Sequence, residues 1–265
     1  MYEFRDLQPY DGTDNLYLPP EALFVDGTAL EELVTGYQTL NVSGRELIGY
    51  EITTADRTGG DGKIFQSANL PDRKIIVRFK LTAPDPGAFR QAFNRLNYFL
   101  SKPQFEASFH DETDVAYTAT LSDVDDVPEG RNDVVSSFTL YCSDPYKHDV
   151  EPTTVRGQGS IELAKEIPYP APPDKITITM GITNTEVSVT NGLETIRFAG
   201  RNFNPGDVIT VQFNSADKIL LNGDPHPEIH DYLSDLENFL IRSPGTIAVT
   251  PATATIELTL RERYR

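Results

Sequence analysis

The sequence predicts a mainly β protein with one packed helix, built as two domains, and three observations carry that expectation. Short runs rich in β-branched and aromatic residues recur from end to end, Gly, Pro and Asn-Gly turn signals separate them, and one segment alone combines helical spacing with a good cap. At 265 residues the chain is long enough for two ordinary cores, and a 38% hydrophobic fraction supplies them.

The first strands fall at residues 21–26 and 37–42, with β structure continuing through residues 44–52. A long loop is expected from Thr53 to Leu70, where Gly59, Gly60 and Gly62 loosen the backbone. Residues 74–81 are β-branched and form a firm strand. The helix follows. Asp85 can cap it, Pro86 suits its first turn, and Phe89, Ala92, Phe93, Leu96, Phe99 and Leu100 recur on one side. That stripe reads as helix-on-sheet core, with Phe93 inside it, rather than as a ligand pocket. Residues 105–109, 115–121 and 136–142 alternate in character and extend an antiparallel sheet or sandwich.

Proline and glycine then accumulate at Pro152, Gly157, Gly159, Pro168, Pro170, Pro172 and Pro173. This divides the chain into an N-terminal domain over 1–150, a linker over 151–174 and a C-terminal β-sandwich over 175–265, with a return of the last residues to the first domain as a variant. Strands are expected at 175–180, 185–190, 194–198, 207–213, 218–221, 246–250 and 254–260. Asn191-Gly192 and Asn222-Gly223 read as tight hairpin turns. Residues 232–240 read as a single helical turn on a loop, with a strand as the alternative.

The formal charge of −17 disfavours binding to nucleic acid through its phosphates, which needs Lys and Arg to release counterions. Cys142 is the sole cysteine, so no internal disulfide and no multi-cysteine zinc cluster can form. Residues 1–6 lack the basic and apolar signature of a signal peptide, and no stretch is apolar enough to span a membrane, so assembly in a cytoplasm and no membrane partner are expected.

Paired carboxylates at Asp111, Glu112 and Asp114, or at Asp123, Asp125 and Asp126, have the residue type for glycoside hydrolysis. They sit in hydrophilic turns without aromatic neighbours in a chain with no Trp, and solvated turn residues are the preferred reading. Asp224, His226, His230 and Asp231 match no zinc spacing, and a polar loop stiffened by Pro225 and Pro227 is preferred, with weak calcium uptake left open. Cys142 alternates with Leu140 and Phe138 as a core residue. Gly157-Gln158-Gly159 does not complete a dinucleotide fingerprint. No cofactor, no metal and no catalytic residue is expected.

Several signatures, in order, resemble the siphophage distal tail protein (Dit) family, phage tail components of Gram-positive hosts. Gly44-Arg45-Glu46-Leu47 leads to the glycine-rich segment at Asp61-Gly62. The strand over 73–79 precedes the helix that runs from Phe89-Arg90 to Leu96-Asn97-Tyr98-Phe99-Leu100. Asp111-Glu112 turns before Tyr117, and Phe138-Thr139-Leu140-Tyr141-Cys142-Ser143 closes on Asp144-Pro145-Tyr146. In the second half, Asn204-Pro205-Gly206-Asp207, Leu221-Asn222-Gly223, Ser243-Pro244-Gly245 and the basic end at residues 260–265 continue the likeness.

What the resemblance implies is a hexameric ring built from the N-terminal domains, with a variant of two rings back to back. The ring would lie between the tail tube protein and the tail-associated or fibre protein. Galectin-like or carbohydrate-module-like C-terminal sandwiches would project outward, with weak saccharide contact as a further expectation. The segment from Thr53 to Leu70 would reach a neighbouring subunit, and Arg45, Glu46, Tyr50, Asp61, Lys63 and Arg73 are the interface candidates. Genomic DNA would pass the lumen without specific binding. Asp123, Asp125, Asp126 and Asp133 serve either as a repulsive wall there or as solvated loop acids. A carbohydrate-binding adsorption module and another virion ring protein remain the rival readings.

Overall fold

In the computed structural model, which describes residues 18–127, 130–216, 218–232, 234 and 236–265, contacts divide the chain after Lys147, with Arg265 counted in the first unit. The N-terminal residues 1–6 and Leu233 lie outside the described residues. The fold is mainly β, as the alternation of the sequence requires.

In the first unit, β1 (Leu23–Val25) and β2 (Thr28–Ala29) are joined by Asp26 and Gly27, whose φ values of 49° and 82° suit a two-residue type I′ turn. One helical turn, α1 (Leu30–Leu33), leads to β3 (Tyr37–Ser43). Then come β4 (Glu51–Asp56), β5 (Lys63–Asn69) and the long β6 (Arg73–Thr82). Helix α2 (Pro86–Leu100) precedes β7 (Phe105–Phe109), β8 (Glu112–Val124) and β9 (Asp133–Cys142). The main sheet runs β2-β1-β7-β8-β9-β6-β3 in antiparallel pairs.

Strict alternation gives β6 two different faces. Ile75, Val77, Phe79 and Leu81 are buried, while Lys74, Ile76 and Arg78 stay in solvent. Helix α2 covers the inner face. Asp85 accepts the Ala88 N–H at 2.8 Å, Pro86 begins the first turn, and Phe89, Ala92, Leu96 and Leu100 join Phe79 and Phe138 in one core. The buried stripe is narrower than the aromatic spacing suggests. Phe93 and Phe99 lie on its two margins, about 60° from its centre at 100° per residue, and are only half-buried.

The sheet curls until its ends meet, and side chains rather than a backbone ladder close the seam. The Leu23 N–H of β1 donates to Thr39 Oγ1 of β3 at 3.3 Å. The outward N–H groups of Thr39 and Val42 donate to Glu31 Oε1 at 2.8 Å and Glu21 Oε2 at 3.0 Å. Two carboxylates thus occupy donors that an edge strand otherwise offers to another chain.

The loop expected between Thr53 and Leu70 is instead a β-hairpin. β4 and β5 pair in register from Glu51↔Asn69 to Asp56↔Lys63, and neither belongs to the main sheet. Its strands were hidden because Thr, Ser and Gln dilute the apolar residues, while the three glycines cluster in the connecting turn. Residues 44–50, expected as strand, are irregular up to Glu51.

After β10 (Lys147–Asp149), which spans the division, the second unit contains β11 (Thr153–Gln158), β12 (Ser160–Leu163), β13 (Lys175–Thr179), β14 (Val187–Thr190), β15 (Thr195–Phe198) and β16 (Val208–Gln212). It continues with β17 (Ile219–Leu221), β18 (Asp224–Pro225), β19 (Gly245–Thr250), β20 (Thr255–Leu260) and β21 (Arg263–Tyr264). Two sheets, β11-β20-β13-β16-β17-β18 and β12-β19-β14-β15, face one core. Ile176, Ile178, Ile209 and Ile256 come from one sheet, and Val187, Val189, Phe198 and Ile247 from the other. This is the expected sandwich.

Residues 151–174 are not a free linker. β11 and β12 pair with β20 and β19, and Gly157 and Gly159 form the bend that sends consecutive strands into different sheets. A Cβ on Gly157 would sit 2.0 Å from the Ser160 carbonyl oxygen, which explains glycine there without any linker role. Asn222 and Gly223 make the tight turn, with φ of 53° and 93°. Asn191 does not: it begins a four-residue turn and its Oδ1 accepts the N–H groups of Leu193 and Glu194. Among the described residues of 232–240 there is neither helix nor strand, and a 3-10 turn lies earlier, at Pro227–Ile229. No helix among the described residues is long and apolar enough to cross a membrane.

Candidate interaction surface

The β4–β5 hairpin leaves the first unit from a rigid root. Gly44 turns the chain out of β3 with φ of 92°, and a Cβ there would lie 2.1 Å from the Lys74 carbonyl oxygen. Beside it Arg73, 3% exposed, uses its planar fork to tie the root down. Its Nη1 donates to the carbonyls of Gly44 at 2.8 Å and Glu46 at 3.1 Å, and its Nε donates to Pro145 O at 3.0 Å. The guanidinium also sits 5.5 Å from the Tyr117 ring centroid.

Arg45 makes the second clamp. Its two terminal nitrogens donate to the two Asp111 carboxylate oxygens at 2.9 and 2.8 Å, and its guanidinium lies 4.3 Å from the Phe109 ring centroid. Burial alone would lower the Arg45 pKa, but the Asp111 hydrogen bonds and charge outweigh it and raise it. Glu46 accepts the Gly44 N–H at 3.0 Å, and Arg265 donates to the exposed Tyr50 hydroxyl.

Beyond this root both faces of the hairpin are in solvent. Ile52, Thr54 and Asp56 share one face with Phe65 and Ala68, and Ile52 and Phe65 are 63% and 64% exposed. Ile64 is exposed on the other face, and Leu47 at the root is fully exposed. Asp61 lies in the turn, and Lys63 stands 3.8 Å from Asp56 in a solvated pair.

The six sequence candidates therefore separate. Asp61, Lys63, Tyr50 and Glu46 are at the surface of the arm or its root. Arg73 is corrected: it is buried in its own unit and spent on three carbonyls, so it positions the arm and cannot face a partner. Arg45 is likewise committed to Asp111. Ile52, Ile64 and Phe65 were missed, although period-two spacing on either side of a glycine turn marks such a hairpin.

Several of the other candidates have local partners. Glu112 accepts from Lys147, Asp125 from Ser137, and Asp133 lies 3.3 Å from Lys80. Cys142 is fully buried, and burial pushes its thiol pKa up to about 12, far from a reactive thiolate. His226 pairs with Glu228 and His230 shares a hydrogen bond with Ser234, each at 2.6 Å. Among the described residues no three His, Cys, Asp or Glu gather as a metal site. Next to His230 is a cavity of about 300 Å³ lined by Ala216, Lys218, Ile219, Pro225, Pro227 and Leu236.

A curled sheet under one helix, a free hairpin and a following sandwich make up the architecture to be compared. Residues 31–154 match the family model described as the phage tail protein RIFT-related domain. A search of curated protein sequences found no match. Among solved structures, the chain is similar to the Dit protein of phage SPP1, described as a paradigm of the hub adsorption apparatus in Gram-positive infecting phages. The two share 18% identity and a TM-score of 0.72 over 91% of this chain and 98% of that one. It is also similar to a chain of the phage p2 baseplate in its activated conformation with Sr, at 12% identity and a TM-score of 0.51 over 84% of this chain and 90% of that chain. The chain thus shares the fold of the SPP1 protein over 91% of its length.

Proposed function

We propose that this protein is the structural hub of a phage tail tip, six copies of which close into a ring that joins the tail tube to the tail-associated or fibre protein and lets DNA pass. It resides in the virion after assembly in the host cytoplasm. The β4–β5 hairpin carries this reading. Two strands paired only with each other, with Ile52, Ile64 and Phe65 in solvent, are marginal in water and need a surface to pack on. An arm meeting a different surface is a heterologous contact, and repetition through six copies closes a ring without free ends. The SPP1 protein's role as a hub supports the same reading.

The hub needs no chemistry of its own, and Asp111, Glu112, Asp125, His226 and His230 are engaged in local structure while the Cys142 thiol is buried. A lumen walled by acid, including Asp123, Asp125, Asp126 and Asp133, raises the energy of DNA close approach and so prevents adhesion in transit. Native mass measurement tests the proposal. The full chain is expected as hexamers, or as pairs of hexamers, and a variant with residues 51–69 replaced by a short Gly-Ser link as folded monomers. A full chain that remains monomeric and binds glycans contradicts the hub and favours an adsorption module.

A further inference from the structure

At the end of the main sheet below the hairpin's root, two buried side chains carry polar atoms that no protein group satisfies. Arg73 opens β6 opposite Cys142, the last residue of β9. It is 3% exposed, and Tyr117 of β8 is 2% exposed. Nη1 and Nε of Arg73 reach the carbonyls of Gly44, Glu46 and Pro145, but Nη2 has no protein partner, and neither has the Tyr117 hydroxyl. The guanidinium carbon stands 5.5 Å from the Tyr117 ring centroid, so the two side chains adjoin. Buried charges are ordinarily paired, and here the acids of the region are committed elsewhere. Asp111 pairs with Arg45, Glu112 pairs with Lys147, and Asp144 accepts the Tyr146 N–H at 3.2 Å. The tyrosine ring attracts the cation but is no counter-charge.

We infer that Arg73 and Tyr117 together bind a compact inorganic anion of the chloride class beneath the root of the arm. The donor count selects the ligand. Burial raises the Tyr117 pKa against the lowering influence of Arg73, so the phenol keeps its proton and both orphaned groups are donors. A halide only accepts, and its charge offsets that of the guanidinium. A water in the same place would bring two hydrogens of its own, while the three adjacent carbonyls already accept from Arg73. Enclosure favours a single-atom ion over an oxyanion, whose several oxygens each require a donor. Bound there, the ion fixes the guanidinium that holds Gly44 and Glu46, so the root of the arm is firmer where halide is present.

Crystals of the full chain grown in sodium bromide, with data collected at the bromine absorption edge, test the site. One anomalous peak within hydrogen-bond reach of Arg73 Nη2 and the Tyr117 hydroxyl is expected, and it should be absent from Tyr117→Phe crystals grown alike. Bromide confined to surface positions, an adventitious ion only, overturns the proposal, as does a water between the two groups. Thermal unfolding gives a second readout. At constant pH and ionic strength, replacing gluconate by chloride should raise the melting temperature of the wild type by about 2–4 °C and leave that of Tyr117→Phe unmoved. Tyr117→Phe is then the less stable protein in chloride, whereas removal of a buried hydroxyl that binds nothing is neutral or stabilising. An equal response to chloride in both proteins overturns the site.

Discussion

The Glu31 carboxylate accepts the Thr39 N–H at 2.8 Å from a site where only 7% of the residue is exposed, and its second oxygen has no partner. It closes the seam of the curled sheet at an electrostatic cost. Burial dominates and raises its pKa above the ordinary carboxylate value of 4.5, despite the lowering effect of the Thr39 hydrogen bond.

A raised folded-state pKa means the folded protein holds the proton more tightly than the unfolded chain. Stability from this group is therefore complete below pH 4.5 and is lost as pH rises through the folded pKa. Glu31→Gln keeps an acceptor for Thr39 but removes that titration. The stability of Glu31→Gln relative to wild type should rise between pH 4 and pH 8 in urea unfolding. A difference that stays flat with pH would show that burial does not perturb Glu31.

Leu96 lies at the centre of the α2 stripe and Phe93 at its margin. Leu96→Ala should cost about 2–5 kcal/mol of first-unit stability, the range for a buried leucine that leaves a cavity. Phe93→Ala should cost clearly less despite its larger side chain. Denaturant midpoints of the two variants give the order directly.

Arg73→Lys replaces a fork by a point charge that cannot reach three carbonyls at once. Leaving those of Gly44, Glu46 or Pro145 short of a donor should cost about 1–3 kcal/mol. Hydrogen exchange should quicken at residues 44–50 before the main sheet is affected. Protection equal to wild type there would remove Arg73 from the arm's root.

Gly44→Ala should be harmful for two reasons that share one cause. The left-handed φ of 92° strains alanine by about 1–3 kcal/mol, and its Cβ meets the Lys74 carbonyl. A lower melting temperature together with impaired self-association is expected. Retention of both would show that the chain can leave β3 by another route.

Phe65→Ser and Ile52→Ser act on side chains that touch little in their own subunit, so stability should change by no more than about 0.5 kcal/mol. Self-association should fall sharply. Monomer stability and sedimentation, measured on the same preparations, separate the two effects.

Much of the fold was legible because β6, α2, β9 and β13 carry their period in buried residues: Ile75, Val77, Phe79 and Leu81 could form nothing but a one-sided strand. The arm was less legible. Its position between Gly44 and Arg73 could be read, but a hairpin that waits for its cover has Thr and Ser where a core strand has Val and Ile. Arg73 misled for a related reason, since a charged residue reads as surface until three backbone carbonyls are seen around it. Gly157 and Gly159 misled in the opposite sense, because a bend between two sheets and a linker ask for the same residues.

Cryo-electron microscopy of the assembled particle reads the central claim most directly, by counting subunits and tracing residues 51–69. A closed six-fold ring with each hairpin lying on the adjacent copy is expected. Hairpins folded back on their own first unit, with no surface shared between copies, would contradict it.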